Sequence, residues 1–282
     1  MSSSKKSKKK SEIKLSHPQK KVARHVTKKD LAMYYEKVSS YMLPYIQKRP
    51  ISLIRCQQGI EHACFFKKHP QTEEEKKNCF FYQKDAYFYM EDSEDILYQT
   101  QMNTIEFHCW GCHYQNLSHP DMMIFDLDPG EDVSLLQVRQ GVQHLKKILD
   151  TLHLVSFLKT SGGKGYHVVV PFKHTKNWES FSKFAKHIAQ LMVQSYPDLY
   201  TTNMKIKERK GKIFIDYLRN KKGATCVAPY SLRARKNLPI SMPIAWSDLF
   251  EVKPNEVTIK NYKKYVKKKV WRGFFSITQT LQ

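Results

Sequence analysis

Apolar residues recur along this chain with two different periods. Leu31, Tyr34, Tyr35, Val38, Tyr41 and Met42 follow the 3.6-residue period of an amphipathic helix. Thr27 and Asp30 stand just ahead at the spacing of a capping box, which predicts a helix start there. Two short strand-like runs come next, ISLIRC (51–56) and AYFYM (86–90), with the charged break KKHPQTEEEKKN (67–78) between them. Beyond Pro120 the pattern sharpens. MMIFDLD (122–128) predicts a strand, and Leu135, Val138, Val142, Leu145, Leu149 and Leu152 predict a helix. VSFLKT (155–160) and YHVVVP (166–171) read as strands around a glycine-rich turn. Trp178, Phe181, Phe184, Ile188, Leu191 and Met192 mark another helix, and IFIDY (213–217) a further strand. The basic, aromatic stretch KNYKKYVKKKVWR (260–272) predicts a surface helix. Helices interleaved with short strands, without an internal repeat, predict an α+β fold.

Composition changes the picture at the ends and on the surface. Residues 1–14 are nearly all Ser and Lys, with almost nothing to bury, and predict a disordered basic tail. Residues 15–282 are expected to form a single domain: an N-terminal lobe (15–115), a catalytic core (116–250) and a basic C-terminal segment (251–282). The 48 Lys+Arg against 26 Asp+Glu give a formal net charge of +22, which points to a polyanionic partner, and nucleic acid is the commonest. No apolar run approaches the ~18 residues of a membrane span, and MSSSKKSKKK is not a secretory signal. Six cysteines scattered through a large chain suit reduced thiols. A cytoplasmic, nucleoid-associated protein with no membrane contact is therefore expected.

Three motifs carry chemistry. In a strand, residues i and i+2 share a face, so Asp126 and Asp128 point the same way. Two ionised carboxylates that close repel, unless a divalent cation sits between them. A solvated strand end is the plainer explanation of such a pair. The turn TSGGKGYH is more specific. Its glycines, including Gly163, let backbone N–H groups approach a phosphate, while Ser161 and Lys164 add a hydroxyl and a charge and His167 leaves on the next strand. It is not a Walker motif, because the spacing differs and a strand follows. Asp216 ends a third apolar strand, sharing a face with Phe214 and Leu218, and would complete a two-metal site. Arg219, Arg233 and Arg235 follow as candidate triphosphate clamps. Cys109-x-x-Cys112, flanked by His108 and His113, is half of a zinc motif without its second half, and two packed thiols explain it better.

With these motifs in order, the chain resembles the polymerase domain of bacterial DNA ligase D, in the archaeo-eukaryotic primase superfamily. The resemblance runs from Leu15 to about Trp246, through LSHPQK, TKKDLAMYYEKV, LPYIQKRPISLIRC, FFKKH, IEFHCWG, FDLDPG, TSGGKGYHVVVP, FIDYLRN and ATCVAPYSLRAR. It implies the primase-polymerase fold and a template-directed nucleotidyltransferase. By this likeness Asp126, Asp128 and Asp216 are the metal-binding carboxylates, and His108 is an active-site histidine. Ser161, Lys164 and His167, with Arg219 and Arg233, would hold the incoming nucleotide. Lys20 and Lys28 would grip the 5′-phosphate at the far edge of a gap, and Phe65 and Phe66 would stack on template or base pair. The chain departs from the family in carrying KKVARHV where Leu-Phe-Pro or Leu-Tyr-Pro is usual. The likeness also implies two ions, Mn²⁺ or Mg²⁺, NTP or dNTP substrates with ribonucleotides preferred, and gap filling in non-homologous end joining. With no room for a ligase domain, the chain is expected to be either a stand-alone polymerase or a domain excised from a larger ligase; as a stand-alone polymerase, it would work with a ligase and a Ku-like end-binding protein in trans on DNA with gaps or broken ends. Two rival readings remain at this stage: a metal-dependent nuclease or phosphoesterase, and a non-catalytic DNA-end-binding module.

Overall fold

The computed structural model describes residues 15–266 and 270–281. The basic tail predicted over 1–14 lies outside the described residues.

A short hairpin, β1 (Lys21–Ala23) and β2 (Val26–Thr27), leads into helix α1 (Lys28–Ile46). The predicted cap is present. Thr27 Oγ1 accepts from the Asp30 N–H, and the Asp30 carboxylate accepts from the Thr27 N–H. The buried stripe of α1 includes Leu31, Tyr34, Tyr35, Val38 and Met42. Tyr34 and Tyr35 reach through the core to donate to the carbonyls of Tyr230 and Ile105, as buried phenols must.

Next come β3 (Ile51–Arg55), β4 (Phe65–Lys67), β5 (Cys79–Tyr82), β6 (Asp85–Phe88), helix α2 (Ser93–Gln101) and β7 (Thr104–Cys109). The second half supplies β8 (Met122–Pro129), α3 (Leu135–Thr151), β9 (Phe157–Thr160), β10 (Tyr166–Pro171) and α4 (Trp178–Ser195). Four short strands complete the set: β11 (Tyr200–Thr201), β12 (Ile213–Asp216), β13 (Cys226–Val227) and β14 (Pro243–Ile244).

The strands form two main sheets in an α+β fold. One runs β13-β7-β3-β6-β5, with β4 also paired to β3; the other runs β11-β12-β8-β10-β9-β14. One hydrophobic core spans both, from Val22 to Leu281. The boundary expected near residue 116 is crossed by β13, which pairs Cys226 with Cys109 and Val227 with His108. That crossing brings the end of β7 beside the second sheet.

Two expectations need correction. Residues 260–272 do not form a surface helix among the described residues. The segment carries a short 3₁₀ turn at Tyr262–Lys264, and Tyr262 and Trp271 are buried. Trp271 Nε1 donates to the Leu158 carbonyl, and Tyr262 packs edge-on against Tyr34, so the aromatics pin the chain to the core. Nor do all six cysteines remain thiols. Cys56 and Cys64 form a disulfide, because the chain folds back between β3 and β4 and brings their Cα atoms to 4.3 Å. Cys109 and Cys112 are buried and outside any disulfide. No helix among the described residues is long and apolar enough to cross a membrane.

Candidate active site

The second sheet carries a row of polar residues through an otherwise apolar surface. In register across β12, β8, β10 and β9, Asp216 faces Asp126, Asp126 faces His167, and His167 faces Lys159. Residues directly opposite in neighbouring strands share a face. Asp128 lies on the same face one step along β8, opposite Phe214. The paired strands thus hold the three carboxylates on a rigid frame.

Electrostatics mark the row as a place built for charge. Burial pushes the Asp128 carboxyl up, and neighbouring Asp126 adds to it. Burial raises Asp216 as well; Arg219 pulls it back, and Asp126 again raises it. Asp126 goes the other way: burial opposes its charge, but His167 and then Arg219 hold it well below the usual carboxylate range. Arginines act as counter-ions. Arg219 Nε lies 3.0 Å from Asp216, and its Nη2 lies 3.9 Å from Asp126. Arg209 rests on the Phe214 ring and approaches Asp128 to 3.7 Å. Crowded carboxylates whose charge is resisted by burial and by one another are a donor set that suits a hard, oxygen-loving cation.

Lys159, only 1% exposed, fixes His167. Its Nζ donates to His167 Nδ1 at 2.7 Å, to the Ser241 hydroxyl at 2.7 Å and to the Val227 carbonyl at 3.0 Å. His167 Nε2 lies 3.3 Å from the Asp126 carboxylate. Cys226 Sγ lies 3.2 Å from the same Nδ1. Burial opposes its ionisation, yet His167 and Lys159 bring the thiol down to about 7.

The glycine-rich turn closes over the end of β8. Ser161 Oγ accepts from the Gly163 and Gly165 N–H groups, so the serine shapes the turn from inside. Gly165 is obligatory there, since a Cβ would fall 2.0 Å from the Leu127 carbonyl oxygen. A second ring of contacts holds the turn from β7. The Glu106 carboxylate accepts from Arg233 Nε at 2.7 Å and pairs with His108 Nε2 at 2.8 Å. Arg233 Nη1 then donates to the Ser161 carbonyl at 2.6 Å. Burial opposes the Glu106 charge, but His108 and Arg233 bring its carboxyl down to about 2. Burial lowers His108 in turn, against the pull of Glu106.

These groups line one cleft of about 680 Å³, within the range of small-molecule and cofactor sites. His108, Asp126, Asp128, Ser161, Gly163, Lys164, His167, Arg219 and Arg233 all border it, and Asp216 sits behind, 8% exposed. Around the carboxylates the wall is basic, with Lys207, Arg209, Lys210 and Arg235 added. Sequence reasoning missed Arg209, Glu106 and Lys159. The last two carried a signal: each is a charged residue inside an apolar strand, where it is rarely buried unless paired.

The other predicted residues lie outside the cleft lining. Phe65 and Phe66 are about half exposed on β4, and the Phe66 ring lies 5.5 Å from that of His108. That places an aromatic surface beside the cleft. Lys28 opens α1, with Lys20 close by. Burial and then Lys20 lower the Lys28 ammonium, so two like charges are held together where an anion would relieve them.

A family model described as the LigD primase-polymerase domain matches residues 27–271. The multifunctional non-homologous end joining protein LigD of Pseudomonas aeruginosa is 34% identical over 247 residues, covering 84% of this chain and 29% of that protein. The bifunctional non-homologous end joining protein LigD of Bacillus subtilis is 29% identical over 227 residues, covering 79% and 37%. The chain therefore spans about a third of the length of these curated relatives. Among solved structures, the polymerase domain of Mycobacterium tuberculosis ligase D in complex with DNA superposes with a TM-score of 0.82 at 26% identity, covering 88% of this chain and 92% of that one. With the family model spanning the capped helix, the aspartate strand and the glycine-rich turn alike, this chain belongs to the primase-polymerase domain family of ligase D.

Proposed function

We propose that this protein is a template-directed nucleotidyltransferase that fills gaps and extends broken DNA ends during non-homologous end joining, with ribonucleotides preferred. One observation carries the reading: Asp126 and Asp128 line one cleft with a basic, glycine-rich turn, and Asp216 stands just behind them, in register with Asp126 across from His167. A hydrolase would need the carboxylates but not a cradle for a triphosphate.

Asp126, Asp128 and Asp216 would hold two Mn²⁺ or Mg²⁺ ions, which lower the pKa of a primer 3′-hydroxyl and offset charge on departing pyrophosphate. The chain's own groups do the rest. Lys164, Arg219 and Arg233 orient the triphosphate, and Glu106 keeps Arg233 aimed by pairing with its Nε. His167 sets its Nε2 towards Asp126, with Lys159 at Nδ1. Phe65 and Phe66 offer a stacking platform for DNA, and Lys20 with Lys28 a seat for a downstream 5′-phosphate. A Ku-like end-binding protein and a DNA ligase activity would act on the same ends, in the cytoplasm and at the nucleoid.

The test is incorporation on a gapped duplex bearing a 5′-phosphate and a labelled primer, with NTP and dNTP supplied separately in Mn²⁺ and in Mg²⁺. Extension without primer loss, greater with NTP, is expected. Primer shortening would identify a nuclease, and tight DNA binding without either change an end-binding module.

A further inference from the structure

At the opposite end of β8 from the aspartate pair, three loops converge on a second set of ligating groups. Asp121 immediately precedes β8, His113 lies in the connection from β7, and His174 follows β10. One ligand atom from each lies within 4.8 Å of the others. His113 Nε2 is 3.4 Å, and His174 Nε2 3.7 Å, from the same oxygen, Asp121 Oδ2. None of the three borders the 680 Å³ cleft. Asp121 and Asp126 are five residues apart on an extended chain, about 16 Å at the strand rise.

We propose that His113, Asp121 and His174 form a zinc site that ties the loop after β7, in the first sheet, to β8 and β10 in the second. The two separations from Asp121 Oδ2, 3.4 and 3.7 Å, come close to what the metal needs. In a tetrahedral site with Zn–N of about 2.0–2.1 Å and Zn–O of about 2.0–2.2 Å, ligand atoms stand ~3.3–3.5 Å apart. Two imidazoles and one carboxylate are borderline ligands of the kind that suit zinc.

The hydrogen bonds around the cluster give a second, independent reason. His174 Nδ1 lies 2.9 Å from the His119 carbonyl, which can only accept. The proton of the neutral ring therefore sits on Nδ1, and Nε2 turns a lone pair towards Asp121 Oδ2. Lone pair against lone pair is repulsive, and a bound cation turns the repulsion into two bonds. A carbonyl that orients the far nitrogen of an imidazole is the usual support of a metal-bound histidine. Asp121 is supported in the same way. Arg49 bonds both its oxygens, at 2.6 and 2.7 Å, and leaves a lone pair on Oδ2 for the cation. The backbone holds the frame: the Asp121 N–H donates to the Gly111 carbonyl, and its own carbonyl accepts from the Phe172 N–H. Three protein ligands leave one position for water.

This zinc is distinct from the ions of the catalytic carboxylates. The experiment strips the whole chain with a chelator, adds Zn²⁺ alone, and measures binding by competition with a chromophoric chelator. Wild type, Asp126→Asn/Asp128→Asn, His174→Gln and His113→Gln/His174→Gln are compared. The expected result is one zinc per chain with Kd below about 10 µM in the aspartate variant, and the same site in wild type beside any zinc taken up by the catalytic carboxylates. Loss of a mere supporting partner weakens metal affinity ~10–100-fold, so His174→Gln should lose at least ~10-fold at this site, and the double histidine variant all measurable binding there. Zinc should raise the melting temperature of wild type and not that of the double histidine variant. Both histidines are about a third exposed on loops, so the variants should keep the wild-type circular dichroism and primer extension. No zinc retained by wild type would overturn the proposal. Equal binding by the double histidine variant, or loss in the aspartate variant instead, would overturn it too.

Discussion

Gly165→Ala offers a sharp test of how the turn is built. A Cβ at Gly165 would lie 2.0 Å from the Leu127 carbonyl oxygen and 3.1 Å from its carbon, both backbone atoms of β8. Real Cβ contacts essentially never fall below 3.0 Å, so the turn and β8 must part by about 1 Å. Leu127 lies between Asp126 and Asp128, and any shift of its peptide moves both carboxylates relative to Lys164 and Ser161. A displacement of about 1 Å in a reacting site costs on the order of 100-fold in rate. The overpacking itself should cost about 1–3 kcal/mol of stability. Gly163→Ala is the control. Its Cβ would meet the Arg235 guanidinium at 3.2 Å and the Ser161 hydroxyl at 3.3 Å, side-chain atoms that need give by only a few tenths of an ångström, where Gly165→Ala meets backbone. The assay is single-nucleotide extension on a gapped duplex, with thermal unfolding of each variant. The expected outcome is a rate loss of about 100-fold in Gly165→Ala and a much smaller change in Gly163→Ala. A Gly165→Ala protein with wild-type rate and melting temperature would refute the reasoning.

Other consequences can be measured alongside. Lys159→Met removes the donor to His167 Nδ1 and leaves buried acceptors unsatisfied, at about 1–3 kcal/mol each; felt in the transition state, that predicts extension slowed roughly 10- to 100-fold, and an unchanged kcat would count against it. Phe65→Ala/Phe66→Ala should weaken gapped-DNA affinity by about 10- to 100-fold, because stacking contributes about 1–3 kcal/mol per base, while the exposed rings leave the melting temperature unchanged. Glu106, held at about 2 in the fold against an ordinary 4.5, contributes stability that is full above pH 4.5 and lost as pH falls through 2. That is about 3 kcal/mol across the window, and denaturant titrations should show a shallower acid loss for Glu106→Gln.

The sequence made the aspartate strand, the glycine-rich turn and the capped first helix legible because each is a local pattern. Alternation alone put Asp126 and Asp128 on one face, and the spacing of Thr27 and Asp30 marked the start of α1. Long-range pairing was hidden. Nothing local says that Cys226–Val227, a strand of two residues, pairs with β7 and carries Cys226 to His167. Glu106 and Lys159 were visible as charges in apolar strands, but their partners come from Arg233 and from Ser241, Val227 and His167. Helix α2 was missed because SEDILYQTQ is short and polar, although Asp92 and Asp95 form its capping box. The C-terminal segment misled because its lysines suggested a solvated helix, while Tyr262 and Trp271 anchor it to the core. The half-motif Cys109-x-x-Cys112 pointed near a ligand cluster but at the wrong residues; His113 finds its partners 8 and 61 positions away, at Asp121 and His174.

The central claim is that the carboxylate row and the basic turn together transfer nucleotides. Primer extension by wild type and by Asp126→Ala/Asp128→Ala, on a gapped duplex with and without Mn²⁺, tests it most directly. The account predicts metal-dependent extension in wild type and none in the double variant, with both proteins folded and binding DNA. Extension that survives loss of both aspartates would contradict it.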